Sequence, residues 1–267
     1  MGALVGTAPG PPETAAAVSD GGQGARAPPA APAIRLSIVL PAYNEAASVG
    51  RVVEEHCREM ARLDGLVGDW EVVCLDDAST DDTSQVLDRL AAGSKHVRVL
   101  RHARNKGIAA SFRDLFQAAR GTHVYLTAAD GQWPARYLAP LLQAVADGDA
   151  LAVGVRTNRR QVYGWRRLAV STLFNTLPVV CFGVRTRDAG SVKLGRRELF
   201  VADLVSTSPF AEAERIVYAR RQGLSVAFVP IEFEARATGT ERGARTATVV
   251  AAVRDCIRCL RIYGPGT

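Results

Sequence analysis

From Ile34 onward, short runs of β-branched and other apolar residues alternate with stretches whose apolar positions recur every three or four residues. Ile34-Arg-Leu-Ser-Ile-Val-Leu40 stops at Pro41, and Trp70-Glu-Val-Val-Cys-Leu75 stops at Asp76-Asp77; both read as buried strands. Between them, residues 46–63 place Val49, Val52, Val53, His56 and Met60 at helical spacing. Residues 97–100, 123–127 and 150–155 read as further strands, with helices over 109–119 and 135–146. Ser79 or Thr80 is expected to cap the helix after the second strand, with Asp81 and Asp82 in its first turn, where the helix dipole favours negative charge. Helical patterns recur over 210–222 and 244–263. The uncharged run Leu168 to Val184 contains Asn175 and Pro178 and falls short of a membrane span, so a buried or interfacial helix is expected there.

Strands alternating with helices imply an α/β fold, a mostly parallel central sheet flanked by helices. In such sheets ligands bind beyond the carboxyl ends of the strands. That rule points to Pro41–Glu45, Asp76–Ser79 and Ala128–Gln132. Glu45, Asp76, Asp77 and Asp130 then converge on one edge, with Tyr43 alongside. Such carboxylates accept hydrogen bonds from a base or ribose, or hold a divalent metal against a diphosphate. Their other use is to cap the following helix, which suits Asp81 and Asp82. No glycine-rich phosphate loop follows the first strand, so dinucleotide-fold and P-loop readings lose their main support.

Composition changes the picture at the N-terminus. Residues 1–33 hold 6 of the 13 Pro and 6 of the 24 Gly, with Glu13, Asp20 and Arg26 as their only charges. A disordered tail is expected there, and Pro9, Pro11 and Pro12 interrupt any signal-peptide core. The rest is globular in composition, with 48% apolar and 22% charged residues overall, which argues against collagen or coiled coil. A net charge of +6 favours anionic partners. Between Asp149 and Asp188 there is no acidic residue, yet Arg156, Arg159, Arg160, Arg166, Arg167, Arg185 and Arg187 fall there. Arginine's planar fork suits phosphate, whereas a solvated basic face is the default for such runs. Because Gly154-Val-Arg156 ends a strand at the ligand edge, the phosphate reading is preferred. Aromatic residues are only 6% and do not interleave with the basic ones, so nucleic acid is not an expected partner. Five scattered Cys imply no disulfide framework and fit a reducing compartment; Cys256-Ile-Arg-Cys259 stands without a second pair. The four His show no metal spacing and read as packing or surface residues.

Four motifs, Leu40-Pro-Ala-Tyr-Asn-Glu45, Leu75-Asp-Asp-Ala-Ser-Thr-Asp-Asp-Thr83, Arg104-Asn-Lys-Gly107 and Ala129-Asp-Gly-Gln132, occur in the order seen in family 2 glycosyltransferases. Gly154-Val-Arg156, Gly164-Trp165 with Arg167, Ser171 and Asn175, Asp188-Ala-Gly-Ser191, Glu214, and Val229-Pro-Ile-Glu-Phe233 with Arg236 and Gly239 narrow the match. The chain resembles the polyprenyl-phosphate sugar synthases, the group that includes dolichyl-phosphate mannose synthase. The resemblance implies a GT-A fold that inverts a hexose as it passes from a nucleotide diphosphate sugar, GDP- or UDP-linked, to polyprenyl phosphate. It implies that Pro41, Tyr43, Glu45 and Asp77 hold the nucleotide, with Lys106 nearby, and that Asp130 and Gln132 hold Mg2+ or Mn2+. Ala128 stands where the family's Asp-x-Asp motif has its first carboxylate, and Glu241-Arg242 where Ser-Lys is common.

Arg156, Arg167, Ser171 and Arg236 are the candidate ligands of the acceptor phosphate, and Asp130, Arg156, Arg167 and Glu214 the candidate catalytic set. An acceptor phosphate is largely ionised at neutral pH, its second pKa being about 6, so it needs no general base. A soluble hydroxyl acceptor is the alternative, with Glu214 as its candidate base; Glu214's other reading is a salt bridge to the arginine cluster. The departure at Ala128 keeps a third reading open, a non-catalytic sugar-nucleotide binding protein. The expected organisation is a tail over 1–33, a transferase domain over 34–243 and a basic amphipathic helix over 244–267. That helix, with Arg254, Arg258 and Arg261, either lies on an anionic membrane surface or docks against the domain. The expected location is cytoplasmic, peripheral on the cytoplasmic membrane face.

Overall fold

The computed structural model describes residues 34–63, 65–234 and 246–265. The expectations for residues 1–33, for Arg236 and for Glu241-Arg242 lie outside the described residues. In chain order the elements are β1 (Ile34–Ala42), α1 (Val49–Arg62), β2 (Val67–Asp76), α2 (Thr83–Gly93), β3 (Val97–Arg101), α3 (Ile108–Ala118), β4 (His123–Leu126) and α4 (Leu138–Ala146), preceded by a 3-10 turn at Ala135–Tyr137. There follow β5 (Leu151–Arg156), α5 (Arg159–Val162), α6 (Trp165–Phe182), β6 (Lys193–Arg196), α7 (Arg197–Val201), α8 (Ala211–Arg221), β7 (Val226–Ile231) and α9 (Thr246–Tyr263). The seven strands form one sheet in the order β3-β2-β1-β4-β6-β5-β7. Pairing is parallel except at β6, which runs antiparallel to β4 and β5.

Side-chain alternation in β1 decides which helices cover which face. Leu36, Ile38 and Leu40 point to one side, where they meet Val49, Val52 and Val53 of α1 and Leu138, Leu141 and Leu142 of α4. Val39 points to the other, into a cluster with Leu115 and Phe116 of α3, Ile216 of α8 and Cys256 of α9. Each such side chain contributes about 1.5–3 kcal/mol by leaving water, so a strand apolar on both faces takes an interior place in the sheet.

One expectation is corrected, and one strand lies outside the expected elements. The helix after β2 starts at Thr83, so Asp81 and Asp82 precede it instead of occupying its first turn. Asp81 instead accepts from the Thr83 N–H at 3.0 Å, the Thr83 hydroxyl at 2.5 Å and the Ala46 N–H at 3.2 Å. Three donors in the loop outcompete the helix dipole for one carboxylate. Strand β6 was not anticipated, because Lys193-Leu-Gly-Arg196 is short and polar. Its Lys193 is fully buried, donating to the Ala189 carbonyl at 2.6 Å and the Ser191 carbonyl at 3.1 Å, with Glu212 Oε2 at 3.0 Å.

Glu212 itself is held between Lys193 and Arg215. Burial alone raises a carboxyl's pKa, but these two cations hold Glu212 down at about 2 from an ordinary 4.5. Its folded value is depressed, so the unfolded chain binds the extra proton first as acid is added. The stability contributed by this carboxylate is complete above about pH 4.5 and is lost as pH falls toward 2. Chemical denaturation followed between pH 6 and 2 is expected to show that loss in the wild type, and Glu212→Gln to flatten it.

Candidate functional site

The loops at the carboxyl ends of β1, β2 and β3 are fastened to one another by side chain to backbone bonds, and those after β4 and β5 are fastened in the same way to the segment after β7. Asn44 donates its N–H to Ser79 Oγ at 3.0 Å and accepts the Thr80 N–H at 2.8 Å. The Glu45 N–H reaches Thr83 Oγ1 at 2.8 Å, and the Glu45 carboxylate accepts from Ser48 Oγ at 2.9 Å. Pro41 is buried within β1 opposite Leu75, while Tyr43 is half-buried at the loop. Asp76 turns back onto the Ser79 N–H at 2.9 Å and the Ser84 hydroxyl.

Asp77 faces the third loop. Its carboxylate accepts the Lys106 N–H and the Gly107 N–H, each at 2.8 Å. Those donors are committed within the protein, so the geometry makes Asp77 the organiser of residues 105–107. Gly107 takes φ +83°, a backbone that a side chain rarely adopts. Among the described residues, the non-glycine residues with left-handed backbone are Asn44, Ala78 and Arg187. Each lies in a loop bordering this edge, where backbone strain is retained only because surrounding bonds hold it.

The fourth loop carries Asp130 and Gln132. Asp130 is half-buried and accepts the Gln132 N–H at 3.1 Å. Gln132 is joined to the segment after β7 by its Nε2 to the Glu234 carbonyl at 3.4 Å and by the Glu234 N–H to its own carbonyl at 3.1 Å. No group of three or more His, Cys, Asp or Glu side chains among the described residues could hold a metal. With Ala128 in place of a carboxylate, Asp130 offers a single charged oxygen ligand. That set fits Mg2+ or Mn2+ arriving with a diphosphate, since such ions are held by one or two carboxylates plus substrate phosphates and water.

Trp133 links this loop to the arginines. Its ring lies 5.2 Å from the Arg156 guanidinium, which is also 5.3 Å from the Tyr163 ring and 5.5 Å from Phe233. Arg156 is buried, and its fork is already occupied. Nε donates to Asp188 Oδ2 at 2.6 Å, Nη2 to Asp188 Oδ1, and Nη1 to the Tyr163 hydroxyl. Burial works against this cation, yet Asp188 and Tyr163 hold its pKa above the ordinary arginine value. This corrects the expectation that Arg156 grips an acceptor phosphate: both oxygens of its bidentate partner belong to Asp188. Arg167 instead stacks on the outer side of the same cluster, 3.8 Å from the Tyr163 ring. Arg159 completes the flank, with Nη1 3.9 Å from Asp188 Oδ1 and 3.5 Å from Ser171 Oγ.

Glu214 is not at this edge. It is fully buried, and its carboxylate accepts the Val205 and Ser206 N–H groups and the Tyr263 hydroxyl, all at 2.8 Å. This corrects its candidacy as a base: it fastens the 205–206 loop to α8 and α9. Asp255 does the same for the Thr207 and Ser208 N–H groups at 3.0 and 2.9 Å. Lys106 pairs with Asp114 at 3.1 Å. Sequence reasoning missed Tyr163 and Trp133, and set His102 aside as a packing or surface residue. Aromatic residues beside Gln132 and between two arginine pairs were the available signal.

The Glycosyl transferase family 2 profile matches residues 37–202. Polyprenol monophosphomannose synthase of Mycolicibacterium smegmatis is 30% identical over 236 residues, covering 82% of this chain and 86% of that protein. The undecaprenyl-phosphate 4-deoxy-4-formamido-L-arabinose transferase of Aeromonas hydrophila is 34% identical over 157 residues, 58% of this chain and 46% of that protein. The chain thus spans about half the length of that relative. Among solved structures, glucosyl-3-phosphoglycerate synthase from Mycobacterium tuberculosis with Mn2+, UDP and glucosyl-3-phosphoglycerate superimposes with a TM-score of 0.62 at 20% identity, covering 88% of this chain and 81% of that one.

Proposed function

Because the chain belongs to glycosyl transferase family 2 and carries the GT-A fold, we propose that it moves a hexose from a nucleotide diphosphate sugar to a polyprenyl phosphate. The observation that carries this reading is the cationic flank at the end of β5, where Arg159, Arg167 and Ser171 surround the Arg156–Asp188 pair within reach of the Asp130 loop. The relative matched over most of both chains is named a polyprenol monophosphomannose synthase, which supports the acceptor class.

In this reading Tyr43, Glu45 and the loop organised by Asp77 border the nucleotide of a GDP- or UDP-hexose. Asp130 and Gln132 would hold the divalent ion, which would supply positive charge to the diphosphate leaving group. An oxygen of the acceptor phosphate attacks the anomeric carbon from the face opposite the diphosphate. The new carbon–oxygen bond forms as the old one breaks, the nucleoside diphosphate leaves with the electron pair, and the configuration inverts. Arg167, with Ser171 and Arg159, holds the acceptor phosphate, and no proton need be removed from it. Arg156 serves the site through Asp188 and Tyr163.

Helices α6 and α9 supply the lipid side. On α6, Trp165, Leu173 and Val180 are exposed, and the helix has no acidic residue. On α9, Val250, Val253, Ile257 and Ile262 are exposed beside Arg254, Arg258 and Arg261, while its one acid, Asp255, is buried. One face of α9 docks on the domain through Ala252, Cys256 and Cys259, and the opposite face suits the cytoplasmic surface of an anionic bilayer. Among the described residues no helix is long and apolar enough to cross a membrane.

The deciding experiment incubates the protein with radiolabelled GDP- or UDP-hexoses, Mn2+ and polyprenyl phosphate in vesicles containing anionic lipid. Label is expected in the organic phase. Transfer to water-soluble alcohols alone, with no lipid product from any donor, overturns the acceptor assignment. Asp130→Ala is expected to abolish the manganese-dependent part of nucleotide binding measured by calorimetry; unchanged affinity removes the metal assignment. Ala128→Asp adds a second carboxylate and is expected to tighten manganese binding in the same measurement, in the direction set by the preference of hard cations for charged oxygens.

A further inference from the structure

His102 follows β3, its N–H donating to the Asp76 carbonyl at 3.0 Å, and its ring is almost wholly buried. Both ring nitrogens face carboxylates. Nδ1 lies 2.6 Å from Asp77 Oδ1, and Nε2 lies 2.9 Å from Asp114 Oδ2. An ionised carboxylate accepts and never donates, so both contacts are hydrogen bonds only when both nitrogens carry protons. Lys106 Nζ reaches the same Asp114 oxygen at 3.1 Å. Burial works to raise the Asp114 carboxyl, yet Lys106 and His102 hold it below the usual carboxylate range.

The consequence lies in what Asp77 holds. Its two carboxylate oxygens receive the Lys106 and Gly107 N–H groups, and its carbonyl receives Asn105 Nδ2 at 3.2 Å. Asp77 therefore holds three consecutive residues, Lys106 and Gly107 through its carboxylate and Asn105 through its carbonyl, and α3 begins from the left-handed Gly107. The orientation of that carboxylate is in turn fixed by His102. If either nitrogen lost its proton, a lone pair would face a carboxylate oxygen and the contact would turn repulsive.

We infer that His102 is a positioning residue for the donor nucleotide: as an imidazolium clamped between Asp77 and Asp114, it locks the Asn105–Gly107 backbone at the nucleotide edge. This rests on the reading above that this edge takes a nucleoside diphosphate. His102→Gln leaves a neutral side chain that cannot serve both carboxylates with charged donors. With GDP- or UDP-hexose as the varied substrate, the donor KM is expected to rise about tenfold to a hundredfold, a loss of one or two charge-assisted bonds, while kcat and the acceptor KM hold. A merely structural role would instead lower kcat and the melting temperature together. Nitrogen-15 NMR of histidine-labelled wild-type protein at pH 7 supplies a readout that needs no variant to fold. Protonation of both His102 nitrogens is expected, with signals assigned by their absence in His102→Gln. A single protonated nitrogen, or an unchanged donor KM in the variant, overturns the inference. A wild-type chain that binds neither GDP nor UDP overturns the nucleotide reading itself and this inference with it. Wild-type binding beside an unaltered variant overturns this inference alone.

Discussion

Turnover with polyprenyl phosphate is expected to fall by roughly ten- to a hundredfold or more when Arg167 is replaced by Ala, with donor affinity unchanged. A hydrogen bond to a charged group is worth about 1.5–3 kcal/mol, and that range sets the size of the effect. The stack on Tyr163 at 3.8 Å fixes the plane of the guanidinium, so Arg167→Lys should also lose activity although the charge remains. Tyr163→Leu removes the surface that orients Arg167 and should raise the acceptor KM while leaving the donor KM alone. Steady-state kinetics with each substrate varied in turn separate these outcomes. Full activity in Arg167→Ala would remove this residue from the acceptor site. Glu214→Gln provides the contrast. A hydroxyl acceptor activated by Glu214 requires loss of turnover in the folded variant, whereas a buried fastener requires a lower melting temperature with kcat retained per folded molecule.

The second large effect concerns stability. Asp188→Ala leaves the Arg156 guanidinium buried without its bidentate partner, and breaking one side of a buried pair costs about 3–5 kcal/mol. Arg156→Ala exposes the converse defect, a buried carboxylate whose remaining arginine, Arg159, lies 3.9 Å away. Both variants should therefore melt well below the wild type. Arg156→Lys keeps a charge but loses the fork and the Tyr163 hydrogen bond, and should fall between them and the wild type. Urea denaturation monitored by circular dichroism measures the ranking. If Arg156→Ala keeps wild-type stability and loses only acceptor turnover, Arg156 is a phosphate ligand after all and its pairing with Asp188 is incidental.

The elements that line the site were legible because their signals are local. The β-branched run ending at Pro41 became β1, the run ending at Asp76 became β2, and the valines at helical spacing after Glu45 became α1. A period of two or 3.6 residues is imposed by backbone geometry, and each run carries its own evidence. The same holds for the parallel order of the first strands, since a helix between two strands returns the chain in the same direction. Strand β6 escaped because its buried Lys193 is tolerated only through Glu212 and two carbonyls.

The chain's own sequence thus determined the α/β layers, the strand-end loops and the residue types gathered there. Tertiary structure alone decided what those residues do to each other. Arg156 and Asp188 are 32 positions apart, Glu214 and Tyr263 are 49, and Gln132 and Glu234 are 102. An arginine in a basic run carries no local mark of whether its fork faces solvent or a buried carboxylate. Nor does a histidine after a strand announce that two carboxylates will meet its ring. The hydrophobic pattern sets where the backbone goes, because burial acts on every residue in proportion to its area. Partner choice among polar groups depends on a few tenths of a nanometre between atoms far apart in sequence, and it exists only once the sheet and its helices have packed.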